Sequence, residues 1–121
     1  MARRDITGAV NFRHLESFAG GDQQVVDEVL ELFREQAAMW ARLLDPAGDG
    51  WRDAAHSLKG SALGVGAFAL ADACEAAERA ERLEERMRLA DSIRDALEAA
   101  LADIAAYAHE QALRSLKTPR A

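Results

Sequence analysis

The sequence predicts an all-α fold: an antiparallel four-helix bundle with a short additional helix at its N-terminal end. The 121 residues hold 27 Ala against 8 Gly and 2 Pro, and alanine is the strongest helix former. Residues that strands favour are scarce, with aromatics at only 6%. Apolar residues recur at spacings of three and four over long stretches, which is the period of a helix with one buried face. The length suits one domain, taken as residues 1–121, with its core from about 11 to about 113.

The elements follow in order. Phe12-Arg13-His14-Leu15-Glu16-Ser17-Phe18 reads as a short helix. Gly20-Gly21 then precede Asp22, a good N-cap for a run free of Gly and Pro until Pro46. In that run Val26, Val29, Leu30, Phe33, Ala37, Trp40 and Leu44 form one stripe over about six turns. Asp45 to Gly50 is a turn, with Asp49 the expected cap of a third helix from Trp51 to about Leu63. Gly64-Val65-Gly66 ends that helix. A fourth runs from Ala67 to about Ala80 and a fifth from about Leu83 to Leu113. The fifth repeats Met87, Ala90, Ile93, Leu97, Ala100/Leu101, Ile104 and Tyr107/Ala108 as a packed seam. Trp40 and Trp51 are expected to cap the core near Pro46, and Cys74, on the apolar side with Leu70 and Ala77, to be a small core residue. Ser115 to Ala121, with Pro119 and no apolar period, is expected to fray. Short connections between amphipathic helices make neighbours antiparallel.

Composition also excludes functions. A net charge of −6 argues against nucleic acid or an anionic membrane surface as partner. One cysteine allows no internal disulfide and no metal-ligand pair, so no metal site is expected. No apolar run approaches membrane-spanning length, and Met1-Ala-Arg-Arg-Asp-Ile6 has no apolar stretch behind its basic residues. A cytoplasmic protein is the expectation. The charge-rich stretch from Glu75 to Glu98 reads mostly as a solvated face.

The third helix breaks the pattern of a plain bundle helix. With Trp51 set at 0° and about 100° per residue, Ala54, Ala55, Leu58, Ala62 and Val65 lie within about 60° of it. His56 falls at about 140°, towards water, beside Lys59 at about 80°, Arg52 at about 100°, Leu63 at about 120° and Gly60 at about 180°. Gly60 costs the helix about 1 kcal/mol relative to alanine, in a chain that uses alanine everywhere else. Singly, His56 and Lys59 read as surface residues and Gly60 as a helix crossing. Jointly they make a face where something must approach an imidazole. His14 and His109 read as surface residues.

Ala55-His56-Ser57-Leu58-Lys59-Gly60-Ser61, followed by Gly66-Ala67 and by Leu70, Cys74 and Glu78, resembles the histidine-containing phosphotransfer (HPt) domain of multistep phosphorelays. The resemblance extends over roughly Asn11 to Tyr107. Gly64 stands where Asn is frequent and Ala77 where Leu often precedes the glutamate; both are structural positions. The resemblance implies that His56 accepts a phosphoryl group, through Nε2, from the aspartyl phosphate of one receiver domain and passes it to another. Receivers of response regulators and of hybrid histidine kinases are the partners it implies. Lys59 would offset the phosphoryl charge and Gly60 would give access. Arg52, Ser57 and Leu63 would belong to the docking surface. Glu78 is either the group that orients the other imidazole nitrogen or one more charge on an acidic face. The carrier needs no cofactor of its own, since the receiver brings the Mg²⁺. With no Walker glycine loop, ATP-dependent autophosphorylation is not expected, so the chain reads as a carrier and not an enzyme. The alternatives are a non-catalytic receiver-binding adaptor or sink, and a dimerisation module using Leu113 and Leu116. A monomer is the simplest expectation.

Overall fold

A computed structural model describes residues 6–117. They form five helices and, among the described residues, no strand: α1 Phe12–Phe18, α2 Gln23–Arg42, α3 Trp51–Val65, α4 Phe68–Arg79 and α5 Leu83–Lys117. α2 packs on α3, α3 on α4, α4 on α5, and α5 returns to α2, while α1 lies against α2 and α3. Ala41 near the end of α2 and Leu44 just after it lie beside Ala90, Ile93 and Leu97, whereas Gln23 reaches Tyr107, so α2 and α5 run antiparallel.

The apolar stripe of α3 forms as the sequence predicts: Trp51, Ala54, Ala55, Leu58, Ala62 and Val65 are all buried. They meet Val26, Leu30, Phe33 and Ala37 of α2, Leu70, Ala71, Cys74 and Ala77 of α4, and Ala90, Ile93, Leu97, Ala100, Ile104 and Tyr107 of α5 in one core. Trp51 anchors the lower end, its indole Nε1 donating to the Ala77 carbonyl at 2.7 Å while Arg86 lies 5.6 Å above its ring. Trp40 is half-buried at the same end. Cys74 is fully buried, and burial together with the charge of Glu78 pushes its thiol up to about 12, so it stays protonated and inert.

Several boundaries and contacts differ from expectation. Asp22 caps α2 through Gln24 and Val25, but Asp49 does not cap α3; Gly50 holds that position without a side-chain bond. α2 ends at Arg42, α3 reaches Val65, and α4 is one residue shorter at each end than read. α5 continues to Lys117, because no helix breaker intervenes before Pro119; Ser115 to Lys117 are therefore helical, and the rest of the expected tail lies outside the described residues. Met87, placed in the α5 seam by its spacing, is 55% exposed, while Arg86 beside it turns in to bond the carbonyls of Ala80 and Pro46. Ala108 is exposed as well.

A buried carboxylate on α5 ties the N-terminal segment to the bundle. Asp103 Oδ1 accepts from the Thr7 N–H at 2.8 Å and its hydroxyl at 2.9 Å. Oδ2 accepts from the N–H groups of Gly8 at 3.1 Å and Val10 at 3.2 Å. One turn on, the Tyr107 ring stacks on Phe12 with centroids 4.3 Å apart, and its hydroxyl donates to Glu16. The Asn11 N–H donates to the Gly66 carbonyl at 2.9 Å. Gly66 closes α3 in the left-handed region at φ 81°, and a Cβ there would stand 2.9 Å from the Asn11 carbonyl oxygen. The close approach of Asn11 and the positive φ both require glycine.

Candidate functional site

His56 sits in the second turn of α3 with 70% of its side chain exposed. The adjacent residues explain its placement: Ala55 and Leu58 are fully buried and fix the rotation of the helix, which turns position 56 outward. Across from it, the last turn of α4 presents Glu78, whose rotation is set by the buried Cys74 and Ala77. The His56 Nδ1 lies 3.1 Å from Glu78 Oε2, and the Lys59 Nζ lies 2.9 Å from Glu78 Oε1. One carboxylate thus joins the imidazole and the ammonium. A carboxylate only accepts, so the bond to His56 places the imidazole proton on Nδ1 and the free lone pair on Nε2, on an exposed ring.

The hydrogen bond from Lys59, opposed by partial burial and supported by the bond from His56, holds the Glu78 carboxyl below its ordinary range. A depressed carboxylate contributes stability that is complete above its unfolded pKa and is lost as pH falls through the folded value. The clamp is therefore intact at neutral pH. Lys59 itself is 22% exposed, so its charge is held near the surface and largely out of water.

Gly60 is exposed, and a Cβ built on it meets nothing within 4 Å; the same holds for Gly64 one turn further. Neither glycine takes a positive φ. Helix crossing therefore does not explain Gly60, and its value lies in what can come close to it. Both line a groove between α2 and α3 with Val29, Leu32, Phe33, Gln36, Ser61 and Val65, where the Ser61 hydroxyl donates to Gln36. Leu63 is 46% exposed on the His56 side. Arg52, one turn before His56, reaches Glu81 at 3.7 Å, and Ser57 is half-buried on the adjoining flank.

The structure thus brings His56, Lys59, Gly60 and Glu78 together, with Arg52 and Leu63 on either side. Leu32, 54% exposed on α2, is absent from the sequence reading. Its signal was available, as a leucine off the α2 stripe. His14 is exposed and meets the Phe68 ring edge-on, away from the site. A surface hollow of about 340 Å³ between α2 and α5 beside Tyr107 contains none of the site residues. Among the described residues no group of three His, Cys, Asp or Glu could hold a metal ion, and no helix is long and apolar enough to cross a membrane.

Chemically, the arrangement is an accessible imidazole with a fixed tautomer, a cation one turn away and a glycine opening beside it. The family described as the Hpt domain matches residues 23–107. The chain is also similar to the crystal structure of histidine phosphotransferase ShpA from Caulobacter crescentus. That likeness has 62% sequence identity and a TM-score of 0.76, covering 90% of this chain and 99% of the other. No curated protein sequence matches the chain.

Proposed function

Because this chain belongs to the Hpt domain family and its function is histidine phosphotransfer in a phosphorelay, we propose that His56 is the residue that carries the phosphoryl group. The observation that supports this is the bond from Nδ1 to Glu78, which leaves Nε2 as the nucleophile on a ring open to solvent. Receiver domains are the partners: one donates from an aspartyl phosphate, another accepts. Phosphoryl transfer through a loose transition state needs alignment and charge neutralisation more than covalent help. Mg²⁺ comes with the receiver, and this chain supplies no cofactor of its own. It acts as a carrier without ATP-dependent autokinase activity, in the cytoplasm.

The roles of the neighbours follow from charge and reach. Lys59 offsets charge on the phosphoryl group, Gly60 admits the receiver, and Arg52, Ser57 and Leu63 form part of the surface on which it docks, with Glu78 orienting the ring. The exposed groove beside Gly60 extends that surface onto Leu32 and Gln36 of α2.

The test is transfer from a phosphorylated receiver, in Mg²⁺, to the full chain. Wild type should take up a label that survives alkali and is lost in acid, as a phosphoramidate is; a folded chain that takes none from any receiver offered would leave the adaptor reading in its place. Lys59→Ala should slow transfer by about 10- to 100-fold, the scale of one charge-stabilising contact, and an unchanged rate would remove Lys59 from the site. Gly60→Gln should raise helix stability by up to about 1 kcal/mol, since the added side chain meets nothing in the fold. The same variant should slow transfer by about 100-fold, as displacing reacting groups by an ångström can. A variant both more stable and fully active would refute the role of Gly60 in access.

A further inference from the structure

We propose that Arg86 is a positioning residue for phosphotransfer: it ties the loop that enters α3 to the loop that leaves α4, and so sets the reach of Glu78 to His56 and Lys59. The inference rests on the phosphotransfer reading above and deepens it. The turn between α4 and α5 has no breaker in the sequence. No Gly or Pro stands anywhere from Ala67 to Lys117, and Ala80, Glu81 and Arg82 are all strong helix formers. Yet α4 stops at Arg79, and the buried Ala80 turns extended at φ −70° and ψ 129°. Local preference would run α4 straight on into α5, so contacts from elsewhere in the fold make the turn.

Two side chains supply them. The indole of Trp51, the first residue of α3, donates to the Ala77 carbonyl at 2.7 Å, next to Glu78. The guanidinium of Arg86, in the first turn of α5, donates from Nε to the Ala80 carbonyl at 2.9 Å. From Nη1 it donates to the Pro46 carbonyl at 3.3 Å, while lying over the Trp51 ring. Carbonyls at a helix end need partners from outside the helix, and a cation there also suits the helix dipole. Pro46 belongs to the turn before α3, and Ala80 follows α4. Arg86 therefore spans the two segments whose helices carry His56 and Glu78.

The contact of His56 with Glu78 at 3.1 Å joins residues 22 apart, so it depends on how α3 and α4 lie against each other. Lys59 meets the same carboxylate at 2.9 Å. Hydrogen bonds of this length do not survive displacement by an ångström. Arg86 bonds to none of the three side chains and acts on them through the backbone at Pro46 and Ala80. Without it, Trp51 alone would hold the last turn of α4, and Glu78 would drift from both partners. An imidazole with no acceptor at Nδ1 prefers its hydrogen on Nε2, and that nitrogen then has no free lone pair for phosphorus.

The experiment compares the full-length wild type with Arg86→Ala, Arg86→Lys, Arg88→Ala and Asp103→Ala. The ¹⁵N shifts of the His56 ring at about pH 9, where an imidazole is neutral, report which nitrogen holds the hydrogen. Transfer from a phosphorylated receiver in Mg²⁺ gives the rate. Arg86→Ala should move the hydrogen towards Nε2 and slow transfer by about tenfold, within the loss that an ångström of misplacement causes. Arg86→Lys keeps the charge but lacks the fork that spans two carbonyls, and should fall between the two. Arg88→Ala removes the same charge from an exposed position and should match wild type. Asp103→Ala loosens the other end of α5 and should keep the wild-type tautomer, which separates positioning from stability. Arg86→Ala with the wild-type tautomer and rate would overturn the inference, as would a wild-type ring with its hydrogen on Nε2. A wild type that takes no label would overturn the carrier reading instead, and the tautomers would still decide the role of Arg86.

Discussion

His56→Gln is expected to reduce phosphoryl acceptance from a phosphorylated receiver to background while leaving the helical content unchanged. The two halves have separate causes. An amide nitrogen has no lone pair free to attack phosphorus, so the N–P bond has nowhere to form. The fold should not notice, because most of the His56 side chain is in water and its polar contact is with Glu78 on the surface. Exposed substitutions of this kind stay within about 0.5 kcal/mol. Circular dichroism and labelling on the same preparation check both halves. Retained labelling would move the phosphoryl group to another residue.

Asp103→Ala should lower stability by about 3 kcal/mol, since it strips the acceptors from three backbone N–H groups and a hydroxyl around a buried position. For a chain of this size that is a fall in melting temperature of about 10 °C. The loss should be felt at the N-terminal segment, where Thr7, Gly8 and Val10 meet the carboxylate, with Phe12 and Tyr107 stacked alongside. No residue of the His56 site lies on α5, so the folded fraction should still accept phosphoryl groups. Thermal unfolding measures the first effect, and a shift under about 2 °C would show that the four bonds are replaced by water at no cost.

These two residues also mark what could be seen before the fold was known. His56 was legible because α3 is amphipathic: the buried positions from Trp51 to Val65 fix its rotation, and the wheel then turns His56, Gly60 and Leu63 outward. Lys59-Gly60 on that face made the imidazole distinctive. Glu78 was only half legible. Many carboxylates line the stretch from Glu75 to Glu98, and which one faces α3 depends on how α4 crosses it, a matter of packing between residues 22 apart. Asp103 carried a signal in its position, three residues after Ala100 and beside Ile104, where a buried carboxylate would break the α5 seam. What lay outside local pattern was its partners, more than 90 residues away at the start of the chain. Met87 erred the other way. Its spacing was right for the seam, but spacing alone does not show which turns of α5 a neighbour covers, and the side chain is 55% exposed.

The most direct measurement locates the phosphoryl group on the chain after transfer from a phosphorylated receiver in Mg²⁺. Proton-detected ³¹P and ¹⁵N spectra of the uniformly labelled protein identify both the residue and the ring nitrogen. The geometry at Glu78 predicts a single adduct, on Nε2 of His56, stable in alkali and lost in acid. Phosphorus on Nδ1, on His14 or His109, or on no residue of a folded chain would contradict it.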